Sequence, residues 1–148
     1  KKLNENKRKV LNNFITQNSS FSIGLANNFE IDKFNILQAT ILSMQRALNR
    51  FTKCKNIIRI DGKKIFSSER PLKFLVGGDK KSVSIASASI VAKCYRDAYV
   101  KQFSKLHPHY GWDKNKGYGT KKHFKAIEKY GVTEFHRKTF LKKHLIKP

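Results

Sequence analysis

Residues 57–62 read Ile-Ile-Arg-Ile-Asp-Gly, and residues 73–79 read Lys-Phe-Leu-Val-Gly-Gly-Asp. Each segment is short and largely apolar and ends in an aspartate beside glycine, which predicts two strands of a buried sheet. A helix is predicted over residues 82–106, and its first turns carry small side chains. The succession of strands and helices indicates an α/β domain whose sheet is partly parallel. Because ligands of open α/β sheets bind at the carboxyl ends of strands, Asp61 and Asp79 are candidate site residues.

Taken singly, each aspartate has a structural interpretation that the sequence leaves open. Asp61 with Gly62 is a common hairpin signal, and Asp79 can begin a turn or cap the next helix. As a pair they are more informative, because the chain has only 10 acidic residues. Mg²⁺ prefers one or two carboxylates together with a substrate phosphate. The pair therefore predicts a divalent-cation site.

The charge of the chain points to a polyanionic partner. Its 148 residues include 32 Lys and Arg, and the formal net charge is +22. Such an excess favours nucleic acid over a surface that is merely lysine-rich. No apolar run approaches the length of about 20 residues that spans a membrane. We therefore expect no membrane partner. Cys54 and Cys94 lie far apart in the sequence, so we expect reduced thiols and a cytoplasmic protein.

The remaining periodicities predict further helices and one more strand. Apolar residues recur on one face of a helix over residues 4–17, which Asn4 can cap, and apolar residues alternate over 21–25 as in a half-buried strand. A stripe from Leu37 to Phe51 predicts a second long helix, with Asp32 as its N-cap. Thr120 is expected to cap a later helix that Gly131 ends. We expect one domain over residues 1–148, with 107–148 as its carboxyl-terminal helical and loop part.

Two further residues in the chemistry-bearing stretch deserve separate interpretations. Tyr118 stands between two glycines, outside any apolar stripe, and lysines surround it in sequence, so we expect it to be exposed and to stack on a sugar or base. Asp97 lies inside the predicted helix, four residues from Lys93 and four from Lys101, and this spacing favours a surface charge ladder over a metal ligand. The five histidines show no metal-ligand or catalytic-triad spacing.

These motifs together resemble the ribonuclease HII family. The segments that carry the resemblance are Asp61-Gly62, Gly78-Asp79, 84–93, Arg96-Asp97, 107–111, 116–120, Glu30-Ile31-Asp32 with 35–40, Tyr130-Gly131, and His136-Arg137 with Phe140. The resemblance covers nearly the whole chain. It implies a ribonuclease H-like fold, a mixed sheet flanked by helices. It also implies endonucleolytic cleavage of RNA in RNA–DNA hybrids and at single ribonucleotides in DNA, with Mg²⁺ or Mn²⁺ as cofactor and a monomeric protein.

The resemblance also assigns roles to residues of this chain. Asp61 and Asp79 match the third and fourth of the family's four catalytic, metal-binding carboxylates. Tyr118 matches the tyrosine that packs on the sugar next to the ribonucleotide. The positions implied near the substrate are Lys1, Lys2, Ser84, Lys93 and Arg137, the first two as the end of a segment that approaches the nucleic-acid backbone.

One part of the family pattern is missing. The first strand of the family carries Asp-Glu-Ala-Gly-Arg-Gly, with the first two carboxylates and the recognition of the 2′-hydroxyl, and nothing of this kind precedes Lys1. Since the chain does not begin with Met, we expect a truncated amino terminus and weak or no cleavage by these residues alone. A non-catalytic basic nucleic-acid-binding module and a decayed relic of the nuclease remain the alternatives.

Overall fold

The computed structural model describes residues 3–52 and 56–145. The predictions for Lys1, Lys2 and Cys54 therefore lie outside the described residues. The helices and strands, in chain order, are α1 (Glu5–Asn18), α2 (Asn28–Leu48), β1 (Ile58–Asp61), β2 (Leu72–Leu75), α3 (Val83–Leu106), α4 (Trp112–Asn115), α5 (Lys121–Tyr130) and α6 (Lys138–Leu145). No helix among these residues is long and apolar enough to cross a membrane.

Strands β1 and β2 form a parallel pair, as the sequence predicts. Ile58 lies opposite Leu72, and Asp61 lies opposite Leu75, so the two strands end at the same edge. On β1, the side chain of Ile60 is buried and belongs to the core, as expected of a strand in a covered sheet. A parallel pair followed by the long helix α3 confirms the α/β class.

The chain divides into two compact units. The first contains residues 1–25 and 40–94, and the second contains residues 26–39 and 95–148. Strands β1 and β2 belong to the first unit, and helices α4, α5 and α6 belong to the second. The single-domain organisation over residues 1–148 stays a prediction.

The predicted strand at residues 21–25 is wrong, because residues 20–27 lie in neither a helix nor a strand. This segment packs against α2 instead of pairing with a strand. A Cβ at Gly24 would lie 1.8 Å from the carbonyl oxygen of Ser43, so only glycine allows this approach. The carbonyl of Leu25 accepts a hydrogen bond of 2.6 Å from the Arg46 guanidinium. The segment thus approaches α2 through the backbone at Gly24 and Leu25, while the side chains of Phe21 and Leu25 are exposed.

The second helix begins earlier than predicted, and Asp32 does not cap it. Helix α2 starts at Asn28 and bends at Asn35, which has a positive φ of 69°. After the bend, the side chain of Asn35 accepts hydrogen bonds from the amides of Leu37 and Gln38, which is the work of an N-cap. The predictions for α1, with Asn4 as N-cap, and for α3 are confirmed within one residue.

The core of the second unit is built from aromatic and histidine rings around α5. Its buried members are Tyr110, Trp112, Ala126, Ile127 and Leu141. His123 and His136 are buried beside them, with their rings stacked 5.3 Å apart. Helix α5 begins as predicted, because Thr120 accepts from the amide of His123, and the amide of Gly131 closes its last turn.

Burial gives His136 an unusual acidity. Its pKa is lowered to about 4, first because burial disfavours the charged ring, and further because His123 and His107 lie close to it. A hydrogen bond with Thr133 opposes this shift. The backbone N–H of Thr133 donates to Nδ1 at 3.0 Å, so the neutral ring carries its proton on Nε2. We conclude that His136 is a neutral core residue at physiological pH.

Candidate active site

Asp61 ends β1, and Asp79 lies in the turn that follows the neighbouring strand β2. The backbone N–H of Gly78 donates a hydrogen bond of 2.8 Å to Oδ1 of Asp61. Asp79 is the next residue in the chain, inside the 3₁₀ turn Gly78–Lys80 that follows β2. Both aspartates are exposed. The structure thus joins the first carboxylate to the turn that carries the second.

The local chain explains why this turn needs glycine. A Cβ at Gly78 would lie 2.6 Å from Cδ1 of Ile85 and 3.3 Å from Oδ1 of Asp61. Gly77 has a φ of 65°, a conformation that glycine adopts at little cost. The two glycines therefore let the turn come close to Asp61 while Ile85 packs beneath it.

The hairpin interpretation of Asp61-Gly62 is wrong. The partner of β1 is parallel, and the amide of Gly62 donates to the carbonyl of Leu75 at 3.0 Å, which extends the ladder past Asp61. Asp61 is therefore a strand-end carboxylate. Asp79 does lie in a turn, as its structural interpretation predicts, and its part in a cation site stays a prediction.

The donors at this edge suit a hard cation. Carboxylate oxygens are the ligands that Mg²⁺ and Mn²⁺ prefer, and the bond from Gly78 orients the Asp61 carboxylate as outer-shell hydrogen bonds do in metal sites. Within residues 3–52 and 56–145 there is no group of three or more His, Cys, Asp or Glu side chains that could hold an ion. The described part of the chain thus offers a pair of carboxylates rather than a complete cage.

Ser84 and Lys93 lie on α3, in the same unit as the carboxylates. Ser84 is exposed in the first turn, and its hydroxyl lies 2.9 Å from that of Ser82. Lys93 is half-buried and lies about two and a half turns further along the helix. Ser84 therefore follows the Asp79 turn closely in the chain, whereas Lys93 is more distant along α3.

Tyr118 and Arg137 belong to the second unit. Tyr118 is 58% exposed, which agrees with the prediction of an exposed ring. Arg137 is half-buried and lies over the ring of Phe140 at 4.2 Å. Burial lowers the pKa of Arg137, as does the charge of Arg96, while Asp32 and Tyr118 act in the opposite direction. Arg137 is thus electrostatically coupled to the surroundings of Tyr118.

Arg96 lies near Tyr118, and no role was predicted for it from the sequence. Its Nη1 donates a hydrogen bond of 2.8 Å to the carbonyl of Lys116, and its guanidinium lies 5.4 Å from the centroid of the Tyr118 ring. A Cβ at Gly117 would lie 3.6 Å from the same guanidinium. Arg96 therefore fixes the loop that presents Tyr118. Only its position beside Asp97 in a shared motif marked it in the sequence.

Comparison with known proteins gives the family. The ribonuclease HII family model matches residues 1–144. A ribonuclease HII of Clostridioides difficile (strain 630) is 46% identical over 143 residues, which are 96% of this chain and 56% of that protein. A ribonuclease HII of Pelagibacter ubique is 44% identical over 95% of this chain and 76% of that protein. A third, from Wolbachia pipientis wMel, is 48% identical over 95% of this chain and 71% of that protein.

The chain thus spans between about half and three quarters of the length of these relatives. The family match nevertheless extends over nearly all of its 148 residues and includes Asp61, Asp79 and Tyr118. The chain belongs to the ribonuclease HII family, whose fold is ribonuclease H-like and whose members are hydrolytic endonucleases.

Proposed function

We propose that this chain is part of an endoribonuclease that cleaves the RNA strand of RNA–DNA hybrids and single ribonucleotides embedded in duplex DNA. One observation carries the proposal: the Asp61 carboxylate is oriented by Gly78 beside Asp79, at the carboxyl edge of two parallel strands. A chain with a net charge of +22 supplies the attraction for the phosphate backbone. A purely phosphate-binding surface gains nothing from acids in its groove.

In the proposed site, Asp61 and Asp79 supply carboxylate oxygens to Mg²⁺ or Mn²⁺. When bound, such cations activate water and stabilise the leaving oxygen of the phosphodiester. Gly78 keeps one oxygen of Asp61 fixed, so the carboxylate is oriented before substrate arrives. The family's other two carboxylates belong to the Asp-Glu-Ala-Gly-Arg-Gly motif, and we propose that the whole protein supplies them.

The remaining residues are proposed to hold the substrate. Tyr118 packs on the sugar beside the ribonucleotide, and Arg137 lies in its electrostatic surroundings. Ser84 and Lys93 contact the substrate from the unit that carries the two carboxylates. Lys1 and Lys2 approach the nucleic-acid backbone. The proposed cleavage is on the 5′ side of the ribonucleotide and leaves a 3′-hydroxyl and a 5′-phosphate. The protein is proposed to act as a monomer in the cytoplasm.

The decisive experiment uses this chain extended by the first-strand motif of the family. The substrate is a DNA duplex that contains one ribonucleotide, incubated with Mg²⁺. Asp61→Asn removes one negative charge from the site and should abolish cleavage, whereas Glu69→Gln removes the same charge from an exposed loop and should leave cleavage intact. Unchanged cleavage by the Asp61→Asn variant would overturn the proposal.

The 148 residues alone provide a second test. We expect them to bind duplex weakly and to cut it little, because the described chain offers a pair of carboxylates and no larger group. Efficient Mg²⁺-dependent cleavage by these residues would contradict the division of ligands proposed above. Salt-sensitive duplex binding by the extended protein, with no cleavage at all, would instead support a non-catalytic module.

A further inference from the structure

An open pocket of about 480 Å³ lies in the second unit, between α5 and the segment that leads into α4. Its charged and aromatic lining consists of Asp113, four lysines and two rings, namely Lys114, Lys122, Lys125, Lys129, His109 and Tyr130. We call it the lysine pocket. It contains none of the candidate site residues, and all the residues that line it belong to one unit.

The helix geometry of α5 places three of the lysines on one side. Lys122, Lys125 and Lys129 are three and four residues apart, and such residues share a helix face. His123 and Ile127, on the opposite side, are buried in the core of the unit. The helix is therefore anchored by one face and presents a row of ammonium groups on the other.

The charge of the lysine pocket is strongly one-sided. Among the described residues that line it, Asp113 is the single acid against four lysines. The three lysines of α5 are exposed, and they form no ion pair within the part of the chain that the structure describes. Four ammonium groups against one carboxylate leave the pocket with a net positive charge, which favours a polyanion.

An aromatic wall stands at one end of the row. His109 and Tyr130 are stacked with ring centroids 4.4 Å apart, and Tyr130 is half-exposed. The ammonium group of Lys129 lies 5.1 Å from the centroid of the Tyr130 ring. The stack offers a flat, preformed surface for the apolar face of a sugar, next to cations that suit its phosphate.

We propose that the lysine pocket binds the sugar–phosphate backbone of one strand of a nucleic-acid duplex, through residues other than the candidate site residues. The span from residue 122 to residue 129 is about 10 Å along the helix axis. Phosphates of one strand advance about 3.4 Å each along the duplex axis, so the row matches about three of them. A single small phosphate would need the ammonium groups to converge on one point, whereas these are spread along a helix.

This inference rests on the proposed nuclease function for its ligand, but its test does not require cleavage. The 148-residue chain is titrated with a DNA duplex in EDTA, and binding is followed by fluorescence anisotropy from 50 to 200 mM salt. The pocket variant is Lys122→Gln with Lys125→Gln and Lys129→Gln. Glutamine keeps the helix propensity of lysine, so α5 should persist by circular dichroism.

The matched control removes three charges elsewhere, with Lys7→Gln, Lys101→Gln and Lys105→Gln on exposed positions of α1 and α3. Each phosphate contact adds about 0.9 to the slope of log affinity against log salt, so the pocket variant should lose about 2 to 3 from the slope. Its affinity should fall at least about tenfold, and more than that of the control.

Two results would overturn the assignment. The first is an equal loss of affinity and slope in both variants, which would mean that only net charge matters. The second is unchanged duplex binding by the pocket variant together with loss of inorganic phosphate binding, which would assign the pocket to a free phosphorylated ligand. The cleavage assay with Asp61→Asn tests the proposed nuclease function alone, and the duplex-binding assay tests the lysine pocket alone. The two proposals can therefore fail separately.

Discussion

Replacement of Asp32 should destabilise α6, a helix that begins 106 residues later in the chain. The carboxylate accepts hydrogen bonds from the backbone amides of Lys138, at 2.8 Å, and Thr139, at 3.0 Å. The hydroxyl of Thr139 donates to it as well. The residue before the helix is Arg137, whose side chain has no acceptor, so Asp32 performs the capping that Arg137 cannot.

The magnitude follows from the cost of losing an N-cap. Such a loss costs about 0.5–2 kcal/mol, and here a charged acceptor serves two amides and a hydroxyl, so we expect about 2 kcal/mol for Asp32→Ala. With an m value of about 2 kcal/mol/M, this lowers the urea midpoint by about 1 M. Asp32→Asn keeps one acceptor oxygen and should lose about half as much, since its amide group faces the N–H of Lys138.

Urea unfolding at pH 7 measures the global effect, and amide hydrogen exchange measures the local one. The amides of Lys138 and Thr139 should exchange about 30-fold faster in Asp32→Ala, which corresponds to about 2 kcal/mol. Glu128→Gln removes an exposed acid of the same unit and should change neither quantity. If Asp32→Ala leaves both the urea midpoint and these exchange rates unchanged, the capping interpretation is refuted.

Acid should remove the same contribution from the unmutated chain. Burial alone would raise the pKa of Asp32, but the hydrogen bonds from Thr139 and Lys138 outweigh it and lower the pKa below its usual value. The unfolded state therefore binds a proton at a higher pH than the folded state does. Stability from the charged cap is complete above the unfolded pKa near 4 and is lost as the pH falls through the lower folded value. The difference in the free energy of unfolding between the wild type and Asp32→Asn should become smaller over that pH interval.

Two further predictions concern the second unit. Because the pKa of His136 is about 4 in the folded state and about 6.5 in the unfolded state, its contribution is complete above pH 6.5 and is lost as the pH falls to about 4. The loss amounts to at most about 3 kcal/mol. In a plot of the free energy of unfolding against pH, His136→Gln should therefore reduce the slope over this interval. An unchanged slope would contradict a buried, neutral His136. Arg96→Ala should speed amide exchange at Gly117 and Tyr118 at least about fivefold, because the charged hydrogen bond to Lys116 is lost. Arg96→Lys should restore little of the protection from exchange, since an ammonium group cannot reproduce the planar contact of the guanidinium. Full restoration by lysine would contradict a specific role of the guanidinium.

Local signals in the sequence were sufficient where an element depends on its own residues. Thr120 and Gly131 bound α5 as predicted, because an N-cap and a glycine stop act within one turn of the helix. The pair of strand-end aspartates was also visible, since apolar runs that end in Asp-Gly and Gly-Asp are short-range patterns. The prediction failed at residues 21–25, because alternation does not reveal whether a strand or a helix is the neighbour.

Composition and local pattern were enough to predict the charge, the parallel strands with a carboxylate at or shortly after the end of each, the long helix α3 and the ribonuclease HII family. Three features became visible in the folded chain alone: Asp32 caps α6, Arg96 holds the Tyr118 loop, and the lysines of α5 line a pocket. The two groups of features differ in the sequence distance over which the interactions act. Periodicity and capping signals act over a few residues, whereas a side chain chooses its hydrogen-bond partners among groups that only the folded chain brings within 3 Å.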